Sequence, residues 1–193
     1  MAALVLLAGF PAAARGRPAQ AELAGLEREL LSGGSATAIL GRWCADHHLA
    51  EPPRIVALRD AVDSPAPPAV RQRLGASPGE TIAYRRVRLA CGERVLSEAD
   101  NWYLPARLTP EMNQTLEQTD TPFGQAVRAL DFHRVTLSAR RLWRGSDFGA
   151  PPAEVLRIDA VLVTGSGAPF ALVRETYRRD LFAAPVVAAK SMK

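Results

Sequence analysis

The chain has 193 residues, of which 48% are hydrophobic and 23% are charged, and its formal net charge is +4 at pH 7. This composition is typical of one globular domain that is large enough to bury its own core, and it excludes an intrinsically disordered or collagen-like chain. No apolar run reaches the roughly 18 residues that a membrane-spanning helix needs, so we expect no membrane span.

Arginine supplies nearly all of the positive charge. The chain has 22 arginines and only two lysines, Lys190 and Lys193. A planar guanidinium suits a carboxylate or a phosphate, although a GC-rich genome gives the same bias. The segment from Arg140 to Arg144 places arginines beside Trp143, but acidic residues are scattered through the same regions and no predicted helix is basic. We therefore expect no nucleic-acid partner.

Residues 1–21 differ in composition from the rest of the chain. An apolar stretch, Ala2–Phe10, is followed by small residues that end in Ala19-Gln20-Ala21. This pattern is typical of a secretory signal with its cleavage site, although the first positive charge, Arg15, follows the apolar stretch instead of preceding it. We interpret residues 1–21 as a signal peptide and favour a periplasmic or secreted location, with a cytoplasmic location as the alternative.

Two cysteines, Cys44 and Cys91, leave the redox state open. They either form one disulfide outside the cytosol or lie in the core as two small hydrophobic side chains. The sequence favours two buried free cysteines.

Apolar spacing and turn residues predict the elements of the first half of the domain. The leucines of residues 23–31 predict an amphipathic helix that Gly33 ends, and Ser35 caps a second one. A short strand over Ile55–Leu58 and a short helix that ends at Leu74 follow.

The remaining residues to about 182 alternate between strand and helix patterns. Strands are predicted over residues 81–90, 95–104, 133–143, 155–164 and 170–178, with helices that start near residues 109 and 120. The first two strands form a hairpin around Gly92-Glu93. The expected fold class is α+β, with an antiparallel sheet of five or six strands covered by helices over residues 22–182, and a C-terminal tail over residues 183–193.

The first strand of the hairpin carries two arginines on one face. Arg86 and Arg88 share that face, whereas Val87 and Leu89 point to the other, because side chains alternate along a strand. Two guanidinium groups at this spacing can serve one anion.

No common catalytic or cofactor motif is present. The sequence has no GxGxxG after a strand, no Walker loop, no paired CxxC, no HExxH and no GxSxG. His47 and His48 are adjacent instead of one helical turn apart, which does not suit a shared metal. We therefore predict neither a metal nor a cofactor.

Three segments resemble the chorismate lyase (chorismate pyruvate-lyase) family. Residues 30–37, LLSGGSAT, resemble its N-terminal L-L-x-x-x-S-x-T element. Residues 120–124, DTPFG, resemble its T-P-hydrophobic-G turn, and residues 167–175, GAPFALVRE, resemble its closing hairpin and strand. The resemblance covers most of residues 22–182.

Part of this resemblance is shared with the UTRA ligand-binding domains of transcription regulators, which have the same fold. Residues 86–93, RVRLACGE, and 175–180, ETYRRD, are similar to UTRA signatures. Such regulators carry a winged DNA-binding domain, and residues 1–50 are too few and too apolar to form one.

The lyase resemblance implies elimination of pyruvate from chorismate to leave 4-hydroxybenzoate, without metal or cofactor, in a pocket closed by N-terminal flaps. It implies that Arg86 binds the ring carboxylate, with Arg88 and then Arg85 as the alternatives. Backbone amides at Ala36 and Phe123 would complete the carboxylate site.

The same resemblance places Glu175 against the ring hydroxyl, where it would orient the substrate or move a proton. An internal ion pair between Arg86 and Glu175 is the structural alternative. The expected partner is a small aromatic carboxylate, either as the substrate of a lyase or as the ligand of a non-catalytic, UTRA-like module that binds a small anion between Arg86 and Arg88. An exported protein would favour the second function.

Overall fold

The structure, a computed structural model, describes residues 19–144 and 150–185 and contains one six-stranded antiparallel sheet in the order β1-β2-β3-β6-β5-β4. The strands are β1 (Ile55–Asp60), β2 (Ala83–Cys91), β3 (Arg94–Tyr103), β4 (His133–Arg141), β5 (Glu154–Val163) and β6 (Pro169–Arg178). The helices are α1 (Ala19–Leu31), α2 (Ala36–Asp46), α3 (Pro68–Leu74), α4 (Pro110–Gln118) and α5 (Phe123–Ala126). The predicted α+β class and the six strands are confirmed.

Helix starts and the hairpin turn lie where the sequence predicts them. The Ser35 hydroxyl accepts a hydrogen bond from the Ala38 N–H at the start of α2, and Thr109 caps α4 in the same way. Gly92 has a φ of +57° in the turn between β2 and β3, and a Cβ at this position would lie 2.8 Å from the Cβ of Ala50. Glycine is therefore required there for both its conformation and its size.

Helices cover the two faces of the sheet unequally. On the face that we call the inner face, α1 and α2 pack over one half of the sheet, while α4 and α5 pack over the other half. Among the described helices, only α3 packs on the opposite, outer face, against Trp102 and Leu172. The inner face therefore carries most of the core, and any enclosed site beneath the helices must lie there.

Cys44 near the end of α2 and Cys91 at the end of β2 are bonded to each other. Their Cα atoms are 6.2 Å apart and both side chains are fully buried. The interpretation of two free buried cysteines is therefore wrong. Sequence spacing cannot reveal this pair, because it forms only once α2 packs across β2.

Only the last three residues of the predicted signal peptide, residues 19–21, belong to the described structure. Helix α1 begins at Ala19, so the predicted cleavage point after Ala21 falls within its first turn. Residues 1–18 lie outside the described residues, as do residues 186–193 of the predicted tail, and the export of the protein stays a prediction. None of the described helices is long and apolar enough to cross a membrane.

Candidate ligand-binding site

A small cavity lies on the inner face of the sheet, beneath the first residues of α2 and α5. We call it the inner cavity, and its volume is about 30 Å³. Its walls combine apolar strand residues with a few polar side chains. They are formed by Ser35, Ala36, Thr37, Val87, Leu89, Ala99, Asn101, Phe123, Gly124, Phe132, Arg134, Leu162, Val173 and Glu175.

A buried ion pair forms the polar part of this wall. Both terminal nitrogens of Arg134 donate to the two carboxylate oxygens of Glu175, at 3.0 and 2.7 Å. The hydroxyl of Tyr177 donates to the same carboxylate at 2.8 Å. Glu175 is only 6% exposed, so three charge-assisted hydrogen bonds offset the cost of burying its charge.

The electrostatics of this cluster favour the charged form of Arg134 and the neutral form of the Tyr177 phenol. Burial by itself would lower the pKa of Arg134, but the carboxylate of Glu175 outweighs burial and raises that pKa above its usual value. Burial, together with the charge of Glu175, holds the pKa of Tyr177 well above its usual value of 10.0. Arg134 and Glu175 therefore face the cavity as a neutralised pair.

A second buried guanidinium, that of Arg85, has no carboxylate partner among the described residues. Arg85 is 4% exposed, and its Nη2 donates to the backbone carbonyls of Thr119 and Thr121 at 3.3 and 3.1 Å. Its Nε and Nη1 atoms are buried without a hydrogen-bond partner. Burial and the nearby charge of Arg59 lower the pKa of Arg85 to about 10, which leaves the group cationic at neutral pH.

Arg85 lies next to residues of two strands, β2 and β3, that line the inner cavity. In β2 it precedes Val87 on the same face, and in β3 it lies opposite Asn101, whose side-chain amide donates to the Arg85 carbonyl at 3.0 Å. Both neighbours line the cavity, as does Phe123, two residues after the Thr121 carbonyl that Arg85 contacts. Arg85 itself does not line the cavity, but its unpaired positive charge belongs to a residue whose neighbours in both strands do.

A wider groove, which we call the entrance groove, adjoins the inner cavity. It has a volume of about 500 Å³ and lies between α2, the segment before β1 and the residues around α5. Ser35, Thr37, Gly124 and Phe132 line both spaces and so form the partition between them. Movement of this partition would join the cavity to the groove.

Three of the residues singled out in the sequence meet at the inner cavity. Ala36, Phe123 and Glu175 all line it, although they come from α2, α5 and β6. Their order in the chain follows the resemblance described above. The roles assigned to them stay predictions.

The structure does not bring the other two, Arg86 and Arg88, to the cavity. Both lie on the outer face, where Arg86 pairs with Asp100 at 3.1 Å and Arg88 pairs with Asp60 at 3.1 Å. The two arginines therefore do not share the inner cavity with Glu175, and the binding of an anion between them stays a prediction. The alternative ion pair between Arg86 and Glu175 does not form either, because the two side chains lie on opposite faces of the sheet.

Sequence reasoning missed Arg134 and Tyr177 and placed Arg85 last. Strand alternation could have placed Arg85 with Val87 on the apolar face, where an arginine is exceptional. No local signal identifies Arg134, because it reaches Glu175 across an intervening strand. Within residues 19–144 and 150–185 no group of three or more His, Cys, Asp or Glu side chains could hold a metal ion.

Comparison with known proteins gives one close relative. The chain is 47% identical over 188 residues to the uncharacterized protein y4mC of Sinorhizobium fredii (strain NBRC 101917 / NGR234), covering 88% of this chain and 79% of y4mC. The chain belongs to the y4mC family. No model of a known protein family matches it.

Solved structures show the fold of this y4mC family member. PhnF from Mycobacterium smegmatis superposes with a TM-score of 0.50 at 14% identity, over 72% of this chain and 64% of PhnF. The possible transcriptional regulator YydK from Bacillus subtilis gives a TM-score of 0.45 at 16% identity, over 71% of this chain and 63% of YydK. The chain thus spans just under two thirds of each, and it has the chorismate lyase/UTRA-like fold.

Proposed function

We propose that this domain binds a small aromatic carboxylate in the inner cavity, with Arg85 as the partner of the carboxylate group. The observation that carries the proposal is the Arg85 guanidinium, which is buried with two of its nitrogens unpaired in a residue next to those that line the cavity. Burying such a cation is costly, and an anionic ligand would supply the missing partner.

The walls of the cavity suit the ring of such a ligand. Phe123 and Phe132 line the cavity, and both contact Phe170, with ring centroids 6.5 and 5.9 Å away. The opposite wall is the Arg134–Glu175 pair, which offers polar atoms to a hydroxyl on the ring.

Binding requires the partition to open. A volume of about 30 Å³ holds about one water molecule, whereas small-molecule sites usually occupy about 300–1,000 Å³. On this proposal the partition of Ser35, Thr37, Gly124 and Phe132 is the part that moves, because these residues line both the inner cavity and the entrance groove.

Elimination of pyruvate from chorismate is the second candidate function. It is favoured by the meeting of Ala36, Phe123 and Glu175, the three positions matched to the lyase family, around one enclosed cavity. It is opposed by the three hydrogen bonds to Glu175, since Arg134 and Tyr177 already occupy both carboxylate oxygens and leave them less available to a substrate hydroxyl.

Calorimetric titration with 4-hydroxybenzoate tests the binding function. We expect the wild type to bind it, Arg85→Met to lose at least about tenfold in affinity, and Arg88→Met on the outer face to bind as the wild type does. Circular dichroism of each variant verifies the fold. Equal affinities in all three proteins, or no binding at all, would overturn the proposal.

Incubation with chorismate separates the two candidates. A lyase would release 4-hydroxybenzoate and pyruvate above the uncatalysed rate, and Glu175→Ala would lower that rate. Binding of 4-hydroxybenzoate without product release from chorismate identifies a binding module.

A further inference from the structure

A second groove lies on the outer face of the sheet, on the side opposite the inner cavity. We call it the outer-face groove; its volume is about 510 Å³ and it lies between α3 and β4. Part of its floor is an apolar row in which Trp102 lies between Tyr84 of β2 and Leu172 of β6 in the strand register. The Tyr84 and Trp102 ring centroids are 5.4 Å apart and their ring planes are tilted by 40° to each other, so the row includes two adjacent aromatic rings.

A polar row runs beside the apolar row. Across four strands the register places Arg86, Asp100, Arg174 and Asp159 next to one another, with alternating charge. Arg86 pairs with Asp100 at 3.1 Å and Arg174 pairs with Asp159 at 2.8 Å, so the charges of the floor are balanced. The groove therefore has an apolar half and a polar, neutral half.

Two side chains on the walls of the groove, those of Arg73 and Leu137, are exposed to solvent. Arg73 of α3 has no ion pair and no side-chain hydrogen bond with the described residues, and it is the unbalanced charge of the groove. Leu137 of β4 is 37% exposed, at a bulge where β4 slips against β5. In addition, the indole N–H of Trp102 is buried without a hydrogen-bond partner.

We propose that the outer-face groove is a second ligand site, which takes a planar aromatic monoanion. The ring of the ligand lies on the apolar row beside Leu137, and its acidic group pairs with Arg73. A single negative charge matches the one unbalanced cation of the groove. When the indole of Trp102 shifts toward the ligand, a hydrogen-bond acceptor on the ligand ring pairs with the indole N–H, which otherwise lacks a partner.

Fluorescence titration with 8-anilinonaphthalene-1-sulfonate, an aromatic monoanion, tests this site. We expect saturable one-site binding, with Arg73→Ala and Leu137→Asp each weakening it by about fivefold or more. Both residues are exposed, so neither change disturbs the core. The matched control is Arg128→Ala, an exposed arginine on the entrance groove, which should leave the affinity within about twofold.

Two patterns would overturn the proposal. The first is non-saturable binding, or binding that either Arg73→Ala or Leu137→Asp leaves unchanged. The second is binding that Arg128→Ala weakens, since the dye would then occupy the entrance groove. Arg85→Met should leave dye binding intact, so this site can fail or stand independently of the inner cavity.

Discussion

The proposed role of Arg85 in ligand binding implies a cost to the stability of the fold. Its guanidinium is buried with two of its nitrogens unpaired, and no described carboxylate forms an ion pair with it. Replacement of a poorly compensated buried charge by an apolar side chain of similar length is often stabilising. Arg85 would then be retained for the ligand at the expense of the free protein.

Arg85→Met should therefore raise the free energy of unfolding of the ligand-free protein by about 1–3 kcal/mol, measured by urea denaturation. The gain arises because the desolvated cation is removed, and it exceeds the loss of the two hydrogen bonds to backbone carbonyls. The side chain of Arg88 is half-exposed on the outer face, so Arg88→Met should change the free energy of unfolding by less than about 1 kcal/mol. A destabilised Arg85→Met protein would show that Arg85 is a structural residue.

Tyr177 makes stability depend on alkaline pH. Its pKa is well above 10.0 in the folded protein because the phenol is buried beside the charge of Glu175. In the unfolded chain the phenol ionises near its ordinary pKa of about 10. Above that pH the folded state holds one more proton than the unfolded state, so stability falls as pH rises, by about 1.4 kcal/mol per pH unit from this group.

Tyr177→Phe should remove this slope. At pH 8 the variant should be less stable than the wild type by about 1 kcal/mol, because the hydrogen bond to Glu175 is lost. The difference should shrink between pH 10 and pH 11, in urea denaturation series at both values. Parallel curves for the two proteins across this range would contradict a buried, neutral Tyr177.

The disulfide is the strongest link between two elements that enclose the inner cavity. It joins α2, whose first residues form the partition, to β2, whose Val87 and Leu89 form the floor. A cross-link over 47 residues restricts the unfolded chain and is worth about 4 kcal/mol in the loop-entropy model.

Dithiothreitol should lower the free energy of unfolding of the wild type by about 2–4 kcal/mol. The double variant Cys44→Ala/Cys91→Ala should have this lower stability with or without the reductant. If the reductant leaves the wild type unchanged while thiol titration shows that the bond is broken, the disulfide contributes nothing to stability.

Two glycines, Gly124 in the partition and Gly41 on the entrance groove, should respond in opposite directions to an added methyl group. A Cβ on Gly124 would lie 3.0 Å from Ser35 Oγ and 3.5 Å from Thr37 Oγ1, whereas one on Gly41 of α2 meets nothing within 4 Å. We expect Gly124→Ala to destabilise the protein by about 1 kcal/mol. Gly41→Ala should stabilise it by about 0.5–1 kcal/mol, because alanine favours the helix. Denaturant titration of both variants tests the pair, and stabilisation by Gly124→Ala would contradict the close packing of the partition.

The sequence predicts the helices and strands more completely than it predicts the candidate ligand-binding site. Apolar spacing, caps and turn residues act within a few positions, and they predicted the five helices and six strands. Alternation along β2 also separated Arg86 and Arg88 from Val87 correctly. It could not show that the helices enclose a cavity on the Val87 side, since that depends on which face α2 and α5 cover.

The ion pairs depend on strand order, which no local pattern reveals. Arg134 reaches Glu175 only because β5 lies between β4 and β6 in the sheet. Arg86 is neutralised by Asp60 of β1 and Asp100 of β3, which lie 26 positions before it and 14 positions after it in the chain. An arginine that looks available for a ligand in the sequence is thus occupied in the fold.

On the outer face, a set of arginines is paired with an equal number of carboxylates. Five arginines alternate with five carboxylates there, in ion pairs of 2.8–4.0 Å. The arginines are Arg86, Arg88, Arg157, Arg174 and Arg178, and the acids are Asp60, Glu98, Asp100, Glu154 and Asp159. Because these ten charges are paired with one another, this part of the outer face offers little to a polyanion, and the absence of a nucleic-acid partner stays our prediction.

Salt should reveal which electrostatic effect dominates the molecule. The net charge of +4 predicts that screening relieves repulsion and raises stability, whereas the ion-pair network predicts that screening lowers it. The pairs are short and their side chains only partly exposed, while a net charge of +4 spread over 193 residues leaves repelling charges far apart. We therefore expect the free energy of unfolding to fall by about 1–2 kcal/mol between 0.05 and 1 M NaCl, in urea denaturation series at both salt concentrations. Arg86→Gln, which removes the best-connected cation, should reduce this dependence, and a rise in stability with salt would show that net repulsion outweighs the network.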